Sequence, residues 1–315
     1  MKFYFAPLEG LTDRTFRHLH HKYFPGIDRY YTPFLSPTIH RSLTPKEQRE
    51  VAPIQLREYE LIPQLLTKNA DDFIWMASQC ADLGYHEINL NIGCPSGTVT
   101  AKGKGAGMLI DLVALDRFLD EIFTKSNVAI SIKTRIGFND SAEFPRILEI
   151  YNKYPIAELI IHPRVRAAFY NGQVDTKAFV YAVENSKIPL CYNGDITHLQ
   201  HMENLQKRYP QLQSVMIGRG LIADPGMLSP GGTNVTALKS FHNELLESYI
   251  DAFGSARNAM FRLKEHWQYL INHFNNSDKL GKKLRKTTDI IEFRQITSEI
   301  FDTLSLIENN KRPGM

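Results

Sequence analysis

The chain has 315 residues, of which 43% are hydrophobic and 23% charged, and its formal net charge is +3. This composition is typical of a globular protein in water, with room for one large domain and a smaller one. No apolar run is long enough to cross a membrane, and three cysteines without paired spacing argue against a disulfide framework or a zinc site. Both features favour a cytoplasmic protein, and the mild positive charge permits a polyanionic partner.

Short apolar runs recur along the chain and predict eight strands, at 2–6, 28–34, 60–66, 86–92, 128–134, 158–162, 188–192 and 214–217. Most are followed by helical periodicity, and helices are expected to begin behind Asp71 and Asp72 and behind Asp111. Strands that alternate with helices imply a parallel sheet, and eight such units fit a closed (β/α)8 barrel. A doubly wound open sheet is the alternative, but it usually has fewer strands. The predicted domains are therefore a TIM barrel over 1–232 and a small all-helical domain over 233–315.

Functional groups of such barrels lie at the carboxyl ends of the strands. The most informative strand end here is Asn-Leu-Asn-Ile-Gly-Cys-Pro at 89–95, which leads into a loop rich in glycine and lysine. A cysteine between glycine and proline is badly placed for core packing, but Cys94 could present its thiol to a bound molecule. Cys80 and Cys191 are instead expected to be core thiols.

Two further strand ends, Asn193-Gly194-Asp195 and Gly218-Arg219-Gly220, occur where barrels often bind phosphate. Glycines let backbone N–H groups approach phosphate oxygens, and an arginine supplies a bidentate cation. Lys133 is expected to point inward from a strand end, where an unpaired ammonium is costly. It is therefore predicted to meet an anionic or electron-rich ligand atom, and the whole pattern favours a phosphate-bearing cofactor or substrate.

Several other residues carry weaker signals. His18, His20 and His21 lack a partner with metal-ligand spacing, so no metal site is predicted and they are expected at the surface or as caps. Trp267 and Tyr269 are expected to pack between helices. The basic run at 282–286 is either a solvated segment or, in an RNA-binding protein, a phosphate contact.

Taken together, the motifs resemble those of the dihydrouridine synthases, flavin enzymes that reduce uridines in RNA. The resemblance covers residues 3 to about 225 and rests on seven motifs in the family's order. They are Ala-Pro-Leu-Glu-Gly at 6–10, the segment 89–95 followed by Lys102-Gly103, Lys-Thr-Arg at 133–135, His-Pro-Arg at 162–164, Tyr-Asn-Gly at 170–172, Asn-Gly-Asp at 193–195 and Met-Ile-Gly-Arg-Gly at 216–220. Residues 257–270 also resemble the RNA-facing helix of that family's helical domain.

The resemblance implies FMN as the cofactor and NADPH as a transient reductant that binds over the flavin. The backbone around Pro7, Leu8 and Gly10 would lie beside the isoalloxazine ring. Gln64 would hydrogen-bond the pyrimidine edge of the flavin, Lys133 would contact its N1/O2 edge, and His162 would also line the cofactor. The phosphate would be surrounded by Asn193, Gly194, Asp195, Gly218 and Arg219.

The resemblance also implies a reaction and a partner. Asn91 would bind the target uracil, and Cys94 would be the general acid. Hydride from the reduced flavin would add at C6, and a thiol, which is mostly protonated at neutral pH, would protonate C5 from the opposite face. The expected partner of this monomeric enzyme is tRNA, whose target base must be unstacked, and the implied RNA contacts are Lys102, Arg135, Arg164, Arg166, Arg262 and Lys264.

The sequence departs from the family pattern in places and leaves alternatives open. Leu8 stands where methionine is common, and Val165 and Ala168 differ on the substrate side. One alternative is a flavoenzyme like dihydroorotate or dihydropyrimidine dehydrogenases, acting on a free pyrimidine; another is a dihydrouridine synthase for ribosomal RNA. An RNA-binding protein that has lost its chemistry and a flavin-free aldolase-type barrel are further alternatives, which Cys94 argues against.

Overall fold

The computed structural model describes residues 1–38, 40–52 and 59–307. The chain forms two compact units. The first comprises Met1–Pro7, Arg29–Gly194 and Tyr209–Met216, and the second comprises Leu8–Asp28, Asp195–Arg208 and the chain from Ile217 onward. The predicted domain boundary at residue 232 stays a prediction.

The first unit is built on one parallel sheet. Its strands are β1 Lys2–Phe5, β2 Arg29–Tyr31, β3 Glu60–Ile62, β4 Gln64–Leu65, β5 Glu87–Ile92, β6 Ala129–Arg135, β7 Leu159–His162, β8 Leu190–Tyr192 and β9 Ser214–Ile217. Their order in the sheet is β3-β2-β1-β9-β8-β7-β6-β5-β4. This is the strand order of a (β/α)8 barrel, so the predicted fold class is confirmed.

The third predicted strand is divided at Pro63, and this division closes the barrel. β3 pairs with β2, where Ile62 lies opposite Tyr31, whereas β4 pairs with β5, where Gln64 lies opposite Asn89. Pro63 has no N–H to donate, but its carbonyl accepts a hydrogen bond of 2.9 Å from the Asn89 N–H. The two ends of the sheet are thus joined by a single residue.

Helices follow the strands along the chain as predicted. They are α1 Arg14–Tyr23, α2 Pro45–Val51, α3 Ala70–Asp82, α4 Gly97–Thr100, α5 Leu112–Lys125, α6 Phe144–Tyr151, α7 Thr176–Asn185, α8 Leu199–Arg208, α9 Arg219–Ala223, α10 Val235–Phe253, α11 Ala256–Leu270, α12 Asp278–Lys286 and α13 Ile290–Thr303. Short 3-10 turns occupy Gly105–Ile110, Ser141–Glu143, Arg166–Ala168 and Ile271–His273. Within the described residues, no helix is both long and apolar enough to traverse a bilayer.

Two helix starts show where pattern reasoning succeeded and where it missed. The Asp111 carboxylate accepts a hydrogen bond of 3.0 Å from the Ala114 N–H and caps α5 as predicted. α3 is capped by Asn69, whose side chain accepts from the Asp72 N–H at 2.9 Å. Asp71 and Asp72 therefore lie in the first helical turn, where their negative charges interact favourably with the helix dipole. Neither side chain caps the helix.

Part of the interior of the first unit is apolar. A cluster of buried side chains joins six strands: Tyr4, Ala6, Tyr31, Ile62, Ile160, Cys191 and Met216. Cys191 and Cys80 are 0% and 1% exposed, so the prediction that both are core thiols is confirmed. Burial raises the pKa of Cys80 to about 12, which keeps that thiol protonated.

The second unit has its own aromatic core. The ring of Phe16 on α1 stacks on His266 of α11 at 5.1 Å and meets Phe241 of α10 edge-on at 5.7 Å. Trp267 is 2% exposed, which confirms its predicted packing, and its Nε1–H donates to His242 Nε2 at 3.0 Å.

The expectation that His20 lies at the surface or caps a helix is wrong. Its side chain is 0% exposed, and its Nε2 donates to the carbonyl of Pro225 at 3.0 Å. A histidine can occupy the apolar face of a helix when one ring nitrogen finds a carbonyl, and the sequence of α1 gives no sign of that distant partner. Within the described ranges, no group of three or more His, Cys, Asp or Glu side chains is arranged to hold a metal ion.

We expect the free energy of unfolding to fall as the pH is lowered from about 6.5 to 4. Burial lowers the pKa of His20 to about 3 and that of His242 to about 4, whereas an unfolded histidine titrates near 6.5. The unfolded state therefore binds protons that the folded state does not, and each histidine destabilises the fold by about 1.4 kcal/mol per pH unit in this window.

Urea unfolding between pH 7 and 4 measures this slope. The variant His20→Gln, whose amide N–H can still reach the Pro225 carbonyl, should reduce the slope by one proton. If the variant and the wild type have the same slope, the low pKa assigned to His20 is wrong.

Candidate active site

The carboxyl end of β5 carries the turn that presents Cys94. Asn91 Oδ1 accepts hydrogen bonds from the backbone N–H groups of Gly93 at 3.0 Å and of Cys94 at 2.9 Å. The Cys94 carbonyl accepts from the Ala106 N–H at 3.1 Å. Gly105 has a φ of +56°, and a Cβ there would lie 3.0 Å from the Cys94 Cβ, so only glycine allows this close approach. Cys94 itself is half-buried, unlike the two core thiols.

Asn91 also begins a chain of buried amides that crosses three strands. Its Nδ2 donates to Gln64 Oε1 at 2.8 Å, and Gln64 Nε2 donates to Asn89 Oδ1 at 2.8 Å. Asn89 Nδ2 in turn donates to the Ser131 hydroxyl at 2.9 Å. Gln64 is 1% exposed and Asn91 is 7% exposed, and both use their amides to bind each other. The predicted contacts of Gln64 with flavin and of Asn91 with uracil remain predictions.

Lys133 lies on β6 directly opposite Asn91 in the strand register. Burial, reinforced by the positive charge of Arg135, lowers the pKa of Lys133 to about 8. Within the part of the chain that the structure describes, no hydrogen bond or ion pair involves its ammonium group. A half-buried ammonium without a protein partner fits an electron-rich ligand atom, and the predicted contact of Lys133 with such an atom remains a prediction.

His162 and Arg164 form a pair at the end of β7. Arg164 Nη1 contacts His162 Nε2 at 3.0 Å. Because a guanidinium only donates, Nε2 must accept, and the imidazole is neutral with its proton on Nδ1. Arg164 also donates to the carbonyls of Asn171, at 3.3 Å, and Gly172. At 3% exposure it is occupied by its own loop, and its predicted RNA contact stays a prediction.

Arg135 and Arg166 were also predicted to meet RNA, but both contact the turn of Cys94. Arg135 Nε donates to the Gly93 carbonyl at 3.0 Å, and Arg166 Nε donates to the Pro95 carbonyl at 3.1 Å. Arg135 is 1% exposed, and burial lowers its pKa. Lys102, by contrast, is exposed, as expected of a residue that contacts RNA.

The predicted phosphate residues are divided between the two units. In the first unit, Asn193 Nδ2 donates to the Met216 carbonyl at 2.8 Å, and Gly194 follows directly. In the second unit, Asp195 and Arg219 form an ion pair of 3.1 Å. Gly218 precedes α9, and a Cβ on Gly220 would lie 2.1 Å from the Ile196 carbonyl, so that glycine is required by close backbone contact.

The loop after β1 is held by α11 within the second unit. Pro7, two residues after the end of β1, is the last residue of the first unit in this segment. In the second unit, the Leu8 carbonyl accepts a hydrogen bond of 3.0 Å from the Leu11 N–H, which forms a turn. Gly10 has a φ of +80°, and its carbonyl accepts from Arg262 Nη1. This arginine, predicted to contact RNA, therefore also positions the loop that is predicted to lie beside the flavin.

Lys264 has a structural partner as well. Its Nζ donates to the carbonyls of Arg285 at 2.9 Å and Thr287 at 2.7 Å, at the carboxyl end of α12. Burial lowers its pKa. The helix α12 itself exposes five basic residues, Lys279, Lys282, Lys283, Arg285 and Lys286.

Sequence reasoning gave no role to three exposed aromatic residues. Phe169, Tyr170 and Phe261 are 40%, 46% and 39% exposed. Arg166 lies 5.0 Å from the Phe169 ring, and Lys264 lies 5.3 Å from the Phe261 ring. Exposed aromatics beside cations can stack on bases. For Phe261, the sequence did contain a signal, because this large apolar residue stands at a position of α11 where the helical pattern predicts a polar one.

The carboxyl ends of the strands form the rim of the barrel. The fold and this rim define a (β/α)8-barrel enzyme with a thiol, a half-buried lysine and a histidine–arginine pair at the rim. The model of the Dihydrouridine synthase (Dus) family matches residues 4–313. The chain therefore belongs to the dihydrouridine synthase family, whose members are flavin-dependent oxidoreductases.

Individual relatives agree with the family. A probable tRNA-dihydrouridine synthase 1 of Synechocystis sp. is 23% identical over 320 residues, covering 96% of this chain and 86% of that protein. A tRNA-dihydrouridine(16) synthase of Haemophilus influenzae is 25% identical over 229 residues, covering 70% of this chain and 74% of that protein. The old yellow enzyme homologue of Zymomonas mobilis superposes with a TM-score of 0.53 at 10% identity, covering 71% of this chain and 86% of that one, a likeness of fold.

We expect Lys133→Met to stabilise the cofactor-free protein and to weaken flavin binding. The change removes the desolvation cost of a buried ammonium, but it also removes the donor that faces the ligand. The melting temperature should rise by a few degrees, and the Kd for FMN should increase about tenfold, or ~1.4 kcal/mol.

The wild-type affinity should also fall as the pH rises above about 8, because Lys133 then loses its proton in the free protein but keeps it in the complex. Quenching of flavin fluorescence measures both effects. Lys187→Met, at an exposed lysine, is the matched control and should change neither. Undiminished FMN affinity in Lys133→Met would show that this ammonium does not face the flavin.

Proposed function

We propose that this enzyme reduces the C5=C6 bond of a uridine in tRNA to dihydrouridine, with FMN as its cofactor and NADPH as the reductant. The observation that carries the proposal is the rim of the barrel, where the turn of Cys94 adjoins the strand of Lys133. The strands that lead to them, β5 and β6, pair directly, with Asn91 opposite Lys133. The names of the relatives, tRNA-dihydrouridine synthases, support tRNA as the substrate.

The residues of the rim fit a flavin. Lys133 offers a positive charge to the N1/O2 edge, where a reduced flavin is electron-rich. His162, neutral and protonated on Nδ1, can line the ring system without adding a second charge. Reduced FMN would supply the hydride that adds at C6 of the uracil.

Cys94 would supply the proton. When C6 receives the hydride, the electron pair of the double bond moves toward C5 and O4, and the Sγ–H of Cys94 protonates C5. The resulting thiolate regains its proton from water, to which the half-buried side chain has access. The bonds between Asn91 and the turn hold the thiol in place, because proton transfer requires a donor within hydrogen-bond reach.

The surface of the chain supports a structured polyanion as partner. Lys102 is exposed in the loop that follows the Cys94 turn, and α12 exposes five basic residues. Contacts with phosphates would offset the cost of unstacking the target base, which is a few kcal/mol. The exposed Phe169 and Tyr170 offer rings on which neighbouring bases can stack.

The decisive experiment is mass spectrometry of dihydrouridine after incubation of the FMN-loaded protein with NADPH and unmodified tRNA. We expect Cys94→Ala to lower the rate of product formation by about a hundredfold or more, since a general acid typically contributes about 10²- to 10⁴-fold, while NADPH still reduces the flavin. Parallel reactions contain ribosomal RNA or free uracil.

Each alternative has its own outcome. Product in ribosomal RNA alone would show that ribosomal RNA is the substrate. Turnover of free uracil alone would favour a dehydrogenase of free pyrimidines. A fully active Cys94→Ala variant would show that another group donates the proton.

A further inference from the structure

We propose that Arg135 and Arg166 are positioning residues that fix Cys94 through the two carbonyls beside it, rather than contacts to RNA. The inference deepens the proposed function, because it rests on Cys94 as the proton donor. It assigns these two arginines a role that their position in the sequence did not indicate.

The first argument is the completeness of the contacts around Cys94. The carbonyl before it accepts from Arg135 Nε at 3.0 Å, and the carbonyl after it, at Pro95, accepts from Arg166 Nε at 3.1 Å. The N–H of Cys94 donates to Asn91, and its own carbonyl accepts from Ala106. Each peptide unit of the turn is therefore bonded, and two of the donors are charged, which makes their hydrogen bonds stronger.

The second argument is that both arginines make further contacts within the protein. Arg135 Nη1 donates to the Val165 carbonyl at 2.9 Å, and its guanidinium lies 5.3 Å from the ring of Tyr170. Arg166 Nη2 contacts the Thr100 hydroxyl at 3.2 Å.

Arg166 also lies against two aromatic rings. Its guanidinium is 5.2 Å from the ring of Phe138 and 5.0 Å from that of Phe169. To bind a phosphate through Nε and Nη2, the side chain would have to give up these favourable contacts.

The third argument is the chemistry of arginine. Its planar fork can bind two acceptors at once in a fixed geometry, which a lysine cannot do. Arg135 joins the Cys94 turn to Val165, and Arg166, one residue later, joins the same turn to its own loop. The loop after β7 and the turn after β5 are thus connected twice. Displacement of a reacting group by about 1 Å can cost two orders of magnitude in rate, so such a clamp has catalytic value.

The test uses Arg166→Lys and Arg166→Ala in the FMN-loaded protein. Three quantities are measured: kcat for dihydrouridine formation, the Kd for tRNA with its salt dependence, and the rate of alkylation of Cys94 by iodoacetamide. Cys80 and Cys191 are 1% and 0% exposed, so the alkylation of the folded protein reports on Cys94.

We expect Arg166→Ala to lower kcat about tenfold and to raise the alkylation rate several-fold, because the turn is loosened. The Kd for tRNA and its salt slope should stay unchanged. Arg166→Lys, which can still bind the Pro95 carbonyl with one donor, should lie between Arg166→Ala and the wild type in kcat and alkylation.

The matched control is Lys102→Ala, at an exposed basic residue close in sequence to the same turn. A lost phosphate contact should weaken tRNA binding and reduce the salt slope by about one, while alkylation of Cys94 stays unchanged. Arg166 variants that behave in this way, or that leave all three quantities unchanged, overturn the proposal. The alkylation rate requires no RNA, so it tests the clamp even if no RNA proves to be a substrate.

Discussion

The closure of the parallel sheet at Pro63 is the constraint on which the rest of the first unit depends. The residues on its two sides pair with different neighbours, β2 before it and β5 after it. A closed ring of parallel strands directs all carboxyl ends to one rim, and it leaves no exposed sheet edge. Residues that are far apart in sequence, such as Asn91, Lys133 and His162, therefore share one rim although each lies on a different strand.

Within this ring, the backbone of the Cys94 turn determines the orientation of a whole series of amides. The N–H groups of Gly93 and Cys94 can only donate, so Asn91 must present its oxygen to them and its nitrogen to Gln64. Gln64 must then accept through Oε1 and donate to Asn89. A single arrangement satisfies every member, and such networks are rigid because each misplaced amide would leave a buried polar atom unpaired. The barrel interior and the turn thus support each other.

The elements of the fold could be predicted because strands and helices leave periodic patterns in the sequence. All eight predicted strands are present. Cys94, Lys133 and His162 could be selected as candidate site residues because they lie at or near the carboxyl ends of strands. What escaped prediction depends on partners that only the fold supplies. His20 can be buried because a carbonyl 205 positions later accepts a hydrogen bond from its ring. Arg166 donates a hydrogen bond to the Pro95 carbonyl, 71 positions earlier. Neither spacing is periodic, so no local pattern could reveal it.

Two arginines at the carboxyl ends of β6 and β7 make hydrogen bonds within the protein. Arg135 and Arg164 are 1% and 3% exposed and donate to backbone carbonyls or to a histidine. An arginine is well suited to this task because its fork is rigid and stays charged when buried, whereas a lysine pays a larger desolvation penalty and binds phosphate as a mobile point charge. Exposed basic residues of both kinds remain at the surface, among them Lys102, Lys282, Lys283, Arg285 and Lys286. Arg135, Arg164 and Arg166 thus bind groups of the protein itself, and the exposed basic residues leave positive charge at the surface. A protein with a net charge of only +3 can therefore hold its thiol rigidly and still offer a positive surface to RNA.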